Sequence, residues 1–370
     1  MEQDTIYLPV DKLKALMKDV FLGLGVPAAD ADICVDILIT SDLRGIDSHG
    51  VGRLKMYYDR IKAGIQHPVT EWEVLKETAT TATIDGHDGM GHVIGYKAMQ
   101  TAIDKARQYG MGSVAVRNSS HYGIAGYYPL MAIEAGMIGL TVTNARPSIA
   151  PTFGVEPMLG TNPLTFGVPT DEDFPFLIDC ATSISQRGKI EYLDRAEQPT
   201  PAGWAIDSRG NPHTDTPQLL KDLVDGTAAL LPVGGAGEIL GGHKGYGWSV
   251  MVEILSAALQ DGAFMQDLRG YNQDGKRTPY HLGHFFLAIN IENFLPLEIF
   301  KRVAGTICRQ LRNSRKAAGQ SRIYTAGEKE YEIEKNRREQ GIPVNKNLRK
   351  DLETMIRELQ LKKYGELLIL

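Results

Sequence analysis

The chain has 370 residues, about two domains at ~150 residues each, and its 43% hydrophobic and 23% charged residues exclude global disorder. Forty Lys and Arg against 45 Asp and Glu leave a net charge of −5, an even, mildly acidic balance that argues against a nucleic-acid binder. Three scattered cysteines (Cys34, Cys180 and Cys308) exclude a disulfide framework and a four-thiolate zinc site, and no run reaches the ~18–20 apolar residues of a membrane span, so a cytoplasmic protein is expected.

The opening MEQDTIYLPVDKLK is acidic and broken by Pro9, unlike a signal peptide. Leu13, Leu16, Met17, Val20, Phe21 and Leu24 then form a helical stripe from Val10 that Gly23 and Gly25 stop. A nearly all-apolar helix runs from Pro27 to Leu43, and a third is expected from Val51 to Ala63. Thr78 to Asp85 reads as a strand. Helices at 93–109 and 127–135 alternate with strands at 112–117, 138–144 and 176–179, with short glycine-bearing joints. Residues 197–241 read mostly as loop, 251–259 as an apolar helix, 284–291 as a strand, and the charged last ~70 residues as helix. The expected fold is a mixed α/β domain (76–294) with a helical domain built from both ends (1–75 and about 295–370).

Gly89, Gly91 and Gly95 follow a strand and open a helix, but their G-x-G-x-x-x-G spacing does not fit the dinucleotide fingerprint, and no acidic residue follows at the right distance. Any nucleotide needs another scaffold. His49, Arg53 and Tyr57 are spaced four apart, one face of the expected third helix; they suit a carboxylate grip, or equally a capped helix with a basic edge. His121 lies just past a strand end, where α/β proteins place ligands and an imidazole can act as base, although a lone histidine is often structural. Asp179, Cys180 and Ala181 again follow a strand, with Cys180 most simply a small buried residue. Lys244, in GGHKGYG, precedes an apolar helix without P-loop spacing. His281 and His284 lack the Glu of a zinc motif, so no metal is expected.

Six segments occur in one order: SDLRGIDSHGVGRLKMYYDRIKAG, NSSHYGIAGYY, LGTNPLTFGVP, DCATSISQRGKI, PAGWAID and GGHKGYGWSVMVEIL. Together they resemble the type-2 malate/L-lactate dehydrogenase family over roughly residues 10–330, most closely its malate dehydrogenases. The resemblance implies a three-layer, non-Rossmann fold binding NAD, with NADP as the alternative, and a homodimer. It implies His121 as the proton acceptor, Ser48 and His49 as the catalytic Ser-His pair, and Arg53 and Tyr57 on the substrate side. Cofactor positions would be Tyr122, Gly123, Ile124, Ala125, Gly126, Ser148, Asp179, Cys180, Ala181 and Lys244. Asp194 is a loose match to an acidic partner of the Ser-His pair. GAGEILGG (235–242) looks like an insertion beside Lys244, and Thr325-Ala326-Gly327-Glu328 replaces the family's Pro-Gly-Glu turn. The implied reaction interconverts a small 2-hydroxy acid and its 2-oxo acid, with malate leading. Lactate, ureidoglycolate, sulfolactate and cyclic 2-imino acids are alternatives, and a catalytically silent nucleotide-binding or assembly protein is the rival of another class.

Overall fold

A computed structural model describes residues 5–365, 367 and 368. The chain opens with β1 (Ile6–Leu8), α1 (Val10–Gly23) and α2 (Ala28–Leu43), followed by a tight helical turn at Val51–Arg53 and α3 (Leu54–Lys62). The α1 stripe from Leu13 to Phe21 is fully buried, as its period requires, and Leu24 at its end is partly buried. The all-round apolarity of α2 has a clear cause: Cys34, Val35 and Leu38 join a core with α1 and α3, while Ile37 enters a second core over the main sheet. The same helix serves both.

That sheet is built from β2 (Glu73–Glu77), β3 (Thr81–Asp85), β4 (Met111–Ser119), β5 (Met137–Thr143), β6 (Leu164–Val168), β7 (Phe176–Cys180) and β10 (Leu282–Asn290). Its order is β2-β3-β4-β10-β5-β6-β7, with only β3 and β4 parallel. α4 (Gly91–Tyr109) and α5 (Tyr127–Glu134) cover the face carrying Phe286 and Ala288. A Cβ on Gly283, which points to the other face, would lie 1.6 Å from the Ser256 carbonyl of α8 (Gly242–Ala257). A small lobe of α6 (Arg187–Arg195), β8 (Ala205–Asp207), α7 (Thr216–Asp225) and β9 (Ala228–Leu230) has its own core around Ile149, Ile190, Leu219 and Leu230. α9 (Leu297–Arg312), α10 (Glu328–Gln340), β11 (Ile342–Val344) and α11 (Lys346–Glu358) close the chain. β11 pairs with β1, and Leu352, Met355 and Ile356 of α11 complete the α1–α3 core.

Several expectations are corrected. The 78–85 stretch is not one strand: the Thr78 hydroxyl accepts the Thr81 N–H and turns the chain, giving the β2–β3 hairpin. Residues 197–241 are mostly loop, as expected, but they also hold the short β8 and β9 and α7, which Asp215 caps through the Gln218 N–H and Gly226, at φ 75°, ends. The GGHKGYG segment forms the first turns of α8, which begins at Gly242 and not near Met251. β7 is a sheet edge whose last residues, Asp179 and Cys180, are open to solvent, so Cys180 is not a buried core residue.

Candidate active site

The glycines that failed as a nucleotide fingerprint seat the histidine loop instead. The Ser120 hydroxyl donates to the Gly89 carbonyl and accepts the Gly91 N–H, and a Cβ on Gly91 would fall 2.2 Å from the Ser120 carbonyl oxygen. The start of α4 therefore presses directly on the turn after β4, which presents His121. The imidazole Nδ1 lies 2.6 Å from the hydroxyl of Tyr57 on α3, with the Gly123 N–H a longer 3.4 Å away. Its ring stacks on His49, centroids 5.5 Å apart. The His49 Nδ1 lies 2.8 Å from the Ser48 hydroxyl.

His49 is not on the helix, so the single-face reading of His49, Arg53 and Tyr57 is replaced by a tertiary arrangement. Non-helical backbone at Gly50, φ −89° and ψ −140°, separates His49 from the turn that leads into α3. The 44–50 loop is pinned from below. Buried Asp42 accepts the Val51 N–H at 2.8 Å, and any Cβ on Gly50 would meet that carboxylate at 1.8 Å. Arg53 Nε donates to the Ser48 carbonyl at 2.6 Å, and Arg337 of α10 donates to the Asp42 carbonyl and the Asp47 carboxylate. Burial pushes the Asp42 carboxyl up to about 8, against the Val51 N–H.

The opposite wall comes from β7. Asp179 accepts the Gly126 N–H at 2.7 Å, and a Cβ at 126 would come within 2.8 Å of that oxygen. Solvent reaches Asp179 through the mouth of the site, yet protein crowds its carboxyl; desolvation raises it to about 6, opposed by the Gly126 N–H and Arg44. Between these walls lies a cavity of about 230 Å³, lined by Ser48, His49, His121, Tyr122, Gly123, Ile124, Ala125, Asp179, Cys180 and Ala181 among others. Burial lowers His121 well below the usual imidazole range, with the cationic side chains around it adding to the effect, and brings His49 to about 4 with help from Arg53. Both are neutral bases near pH 7.

Of the expected site residues, the cavity does not include Arg53, Tyr57, Gly126, Ser148 or Lys244. Tyr57 is fully buried behind His121, and Gly126 acts behind Asp179. Ser148 pairs by its backbone with Leu159 and Leu230, and Lys244 is exposed in the first turn of α8. Asp194 lies between α6 and α7 with Arg187 and Lys221, away from Ser48 and His49. The Thr325–Glu328 turn is structural: Glu328 is buried, accepts the Thr325 N–H and pairs with Arg322. Asn144, Thr161, Gln186 and Glu330 also line the cavity and escaped the sequence reading. Asn144 and Thr161 follow or precede strands with no distinctive neighbours, and Glu330 is one acid in a charged helix, so no local pattern marks them.

The family model for malate/L-lactate dehydrogenases matches residues 8–353. The chain belongs to the malate/L-lactate dehydrogenase family. Within it, the chain is 44% identical over 362 residues to the malate dehydrogenase of Pyrococcus abyssi, covering 98% of this chain and 97% of that one. It is 39% identical to the L-sulfolactate dehydrogenase of Methanocaldococcus jannaschii, covering 94% and 96%. The crystal structure of malate dehydrogenase from Entamoeba histolytica superposes with a TM-score of 0.93 at 44% identity, covering 96% and 98%. Like these relatives, this member of the family is a dehydrogenase acting on a CH–OH group.

Proposed function

We propose that the chain is a nicotinamide-dependent malate dehydrogenase interconverting malate and oxaloacetate. The observation that carries the reading is His121, whose Nδ1 is engaged by buried Tyr57 while the ring borders the cavity, leaving Nε2 for a substrate hydroxyl. In the oxidative direction neutral His121 takes the hydroxyl proton at Nε2, and its Nδ1–H donates to the Tyr57 oxygen. In the reductive direction the imidazolium returns that proton to the carbonyl oxygen. Arg53 and His49 hold the carboxylate beside the reacting carbon, and Ser48 orients His49. Fixed donors around a small cavity stabilise the developing oxyanion without reorganising water.

The lining fits the reacting end of a nicotinamide cofactor. Glycine at 126 allows Asp179 to lie against backbone, and Ala125 and Ala181 leave room beside it. About 230 Å³ is below the ~300–1,000 Å³ of drug-sized sites, the scale of a nicotinamide ring and a small acid rather than a whole dinucleotide. Tyr122 to Ala125 and Asp179 to Ala181 would hold that end, and the bound nicotinamide would supply the hydride acceptor. With one parallel strand pair in the sheet and the 89–95 glycines occupied by Ser120, we take the scaffold to be a three-layer, non-Rossmann one. NAD is preferred over NADP in this reading.

We further take the protein to be a homodimer. The apolar row Ile299, Val303, Ile307 and Leu311 on α9 is exposed at a spacing of four, a face that association would cover. The helical unit from both chain ends is supported by the α1–α3 and α11 core, although α9 crosses to the α/β unit through the Arg309–Asp171 pair. Among the described residues no helix is long and apolar enough to cross a membrane.

The test is a panel of 2-oxo acids (oxaloacetate, pyruvate, sulfopyruvate and a cyclic imino acid), each with NADH and NADPH. The expected result is the highest kcat/KM for oxaloacetate with NADH. Turnover confined to another acid would replace malate within the same chemistry, and no turnover with any would refute the enzyme reading.

A further inference from the structure

Arg53, Tyr57 and Arg60 fall at i, i+4 and i+7, one face running from the start of α3 along its length. Tyr57 on that face touches His121, so the face is turned to the reacting centre. The half-buried Arg60 guanidinium lies 4.6 Å from the centroid of the Tyr280 ring. Tyr280 stands just ahead of β10, two residues before Leu282, which lines the cavity.

Other shielded arginines here have carboxylates: Arg44 has Glu334, Arg117 has Asp85, Arg312 has Glu172 and Arg337 has Asp47. Among the described residues, neither Arg53 nor Arg60 has one within 4.0 Å, and the two cations repel each other. Arg60 acts on both Tyr57 and His121 more strongly than Arg53 does. Two half-buried guanidiniums of like charge on the helix face behind His121, neither with a carboxylate partner, are costly unless anions arrive with the ligand. Arg53 is tied to the Ser48 carbonyl next to His49, which places it at the carboxylate beside the reacting carbon. Arg60 lies nearly two turns further along α3, so the two cations are set apart along one face. Tyr280 lies against the Arg60 guanidinium and takes one hydrogen bond from it, and with five N–H donors in the fork others remain for an acid group.

We propose that Arg60 binds the second acidic group of the substrate, at the end away from the reacting carbon, and makes the site select doubly charged 2-hydroxy acids over lactate-like monoanions. This rests on the dehydrogenase reading above. A carboxylate and a sulfonate share the required chemistry, and oxaloacetate and sulfopyruvate separate the two.

The experiment measures kcat/KM with NADH for oxaloacetate, sulfopyruvate and pyruvate, in the wild-type chain and in Arg60→Met and Arg60→Lys. Arg60→Met should lose at least ~30-fold on its dianionic substrate, about 2 kcal/mol at ~1.4 kcal/mol per power of ten, and change by less than ~3-fold on pyruvate. Arg60→Lys should fall between, keeping charge but losing the planar fork. NADH affinity should be unchanged. Equal losses on both acid classes, or no loss on either, would overturn the assignment while leaving the dehydrogenase reading intact. A wild-type chain inactive on all three acids would overturn the dehydrogenase reading and this inference with it. Should Arg60→Met fail to fold, Tyr280→Leu removes only the ring and hydroxyl that Arg60 rests against; a smaller loss confined to dianions supports the role, and an unselective loss refutes it.

Discussion

Replacing Tyr57 with Phe removes one oxygen from a side chain that is fully buried and leaves the aromatic packing against Phe21 and His92 in place. His121 Nδ1, which carries the proton when Nε2 is the base, then has no acceptor, because the Gly123 N–H at 3.4 Å is itself a donor. Leaving a buried nitrogen unsatisfied costs ~1–3 kcal/mol, a modest loss of stability. The catalytic consequence has a sign. In the imidazolium, Nδ1–H donates to the Tyr57 oxygen, so losing that acceptor lowers the pKa of His121 below its already depressed value. A charge-assisted bond of ~1.5 kcal/mol corresponds to about one pKa unit. Oxaloacetate reduction, which needs the imidazolium, should therefore fail at a pH about one unit lower. Malate oxidation, which needs the neutral ring, should extend about as far to lower pH. With its proton donor scarcer and its ring less fixed, the variant should reduce oxaloacetate ~10–100-fold more slowly at neutral pH, less than the ~10²–10⁴ that His121→Asn should cost. Initial rates of NADH oxidation and formation across the pH range, with the melting temperature as control, test this. A reduced rate whose pH profile superimposes on that of the unaltered chain would refute the argument and leave Tyr57 as packing alone.

Gly126→Ala should weaken NADH binding ~10-fold, because its φ of −61° suits alanine and only the 2.8 Å approach to Asp179 is lost; fluorescence titration reads the Kd, and an unchanged value would remove Asp179 from the cofactor site. Asp42 is raised from 3.8 to about 8 in the fold, so the folded chain holds a proton that the unfolded chain releases, and its contribution to stability is lost as pH rises from about 4 through about 8. Asp42→Asn should therefore gain stability relative to the wild-type chain between about pH 5 and about pH 9, and a constant difference in urea unfolding would contradict the assignment. Phe286→Ala, which empties the space beside Tyr122 and Tyr128, should cost ~3–5 kcal/mol by calorimetry, and less than ~1 kcal/mol would mean that the sheet core collapses around the gap.

Elements with a strong period were legible. The stripe from Leu13 to Phe21 and the strand at 138–144 could be read because burial alone dictates them. The lobe at 205–230 was hidden, since its strands are three residues long and its helix is announced by one aspartate cap amid prolines and glycines. Among site residues, His121 stood at a strand end and was visible by that rule. The grouping of His49 with Arg53 was anticipated for a helical reason that does not hold. Asp42, Glu330 and Arg60 are recognisable only through partners far along the chain or through the lack of one. Gly91 illustrates the limit: the sequence showed a glycine cluster of the wrong spacing for a nucleotide, but not the Ser120 carbonyl that excludes a Cβ there.

The pairing of β1 with β11 orders events during synthesis. Tyr58 waits for Glu358 and Asp19 for Tyr364, partners 300 and 345 positions later. α1 to α3 leave the ribosome early with an apolar side that has nothing to close over it until translation is almost finished. At ~5–20 residues per second this amounts to some tens of seconds. During that interval the Ser48–His49 loop also lacks its Arg337 clamp. A nascent chain stalled before α10 should therefore expose a greasy three-helix segment to chaperones and proteases, and a ligand supplied at that stage would find half a site.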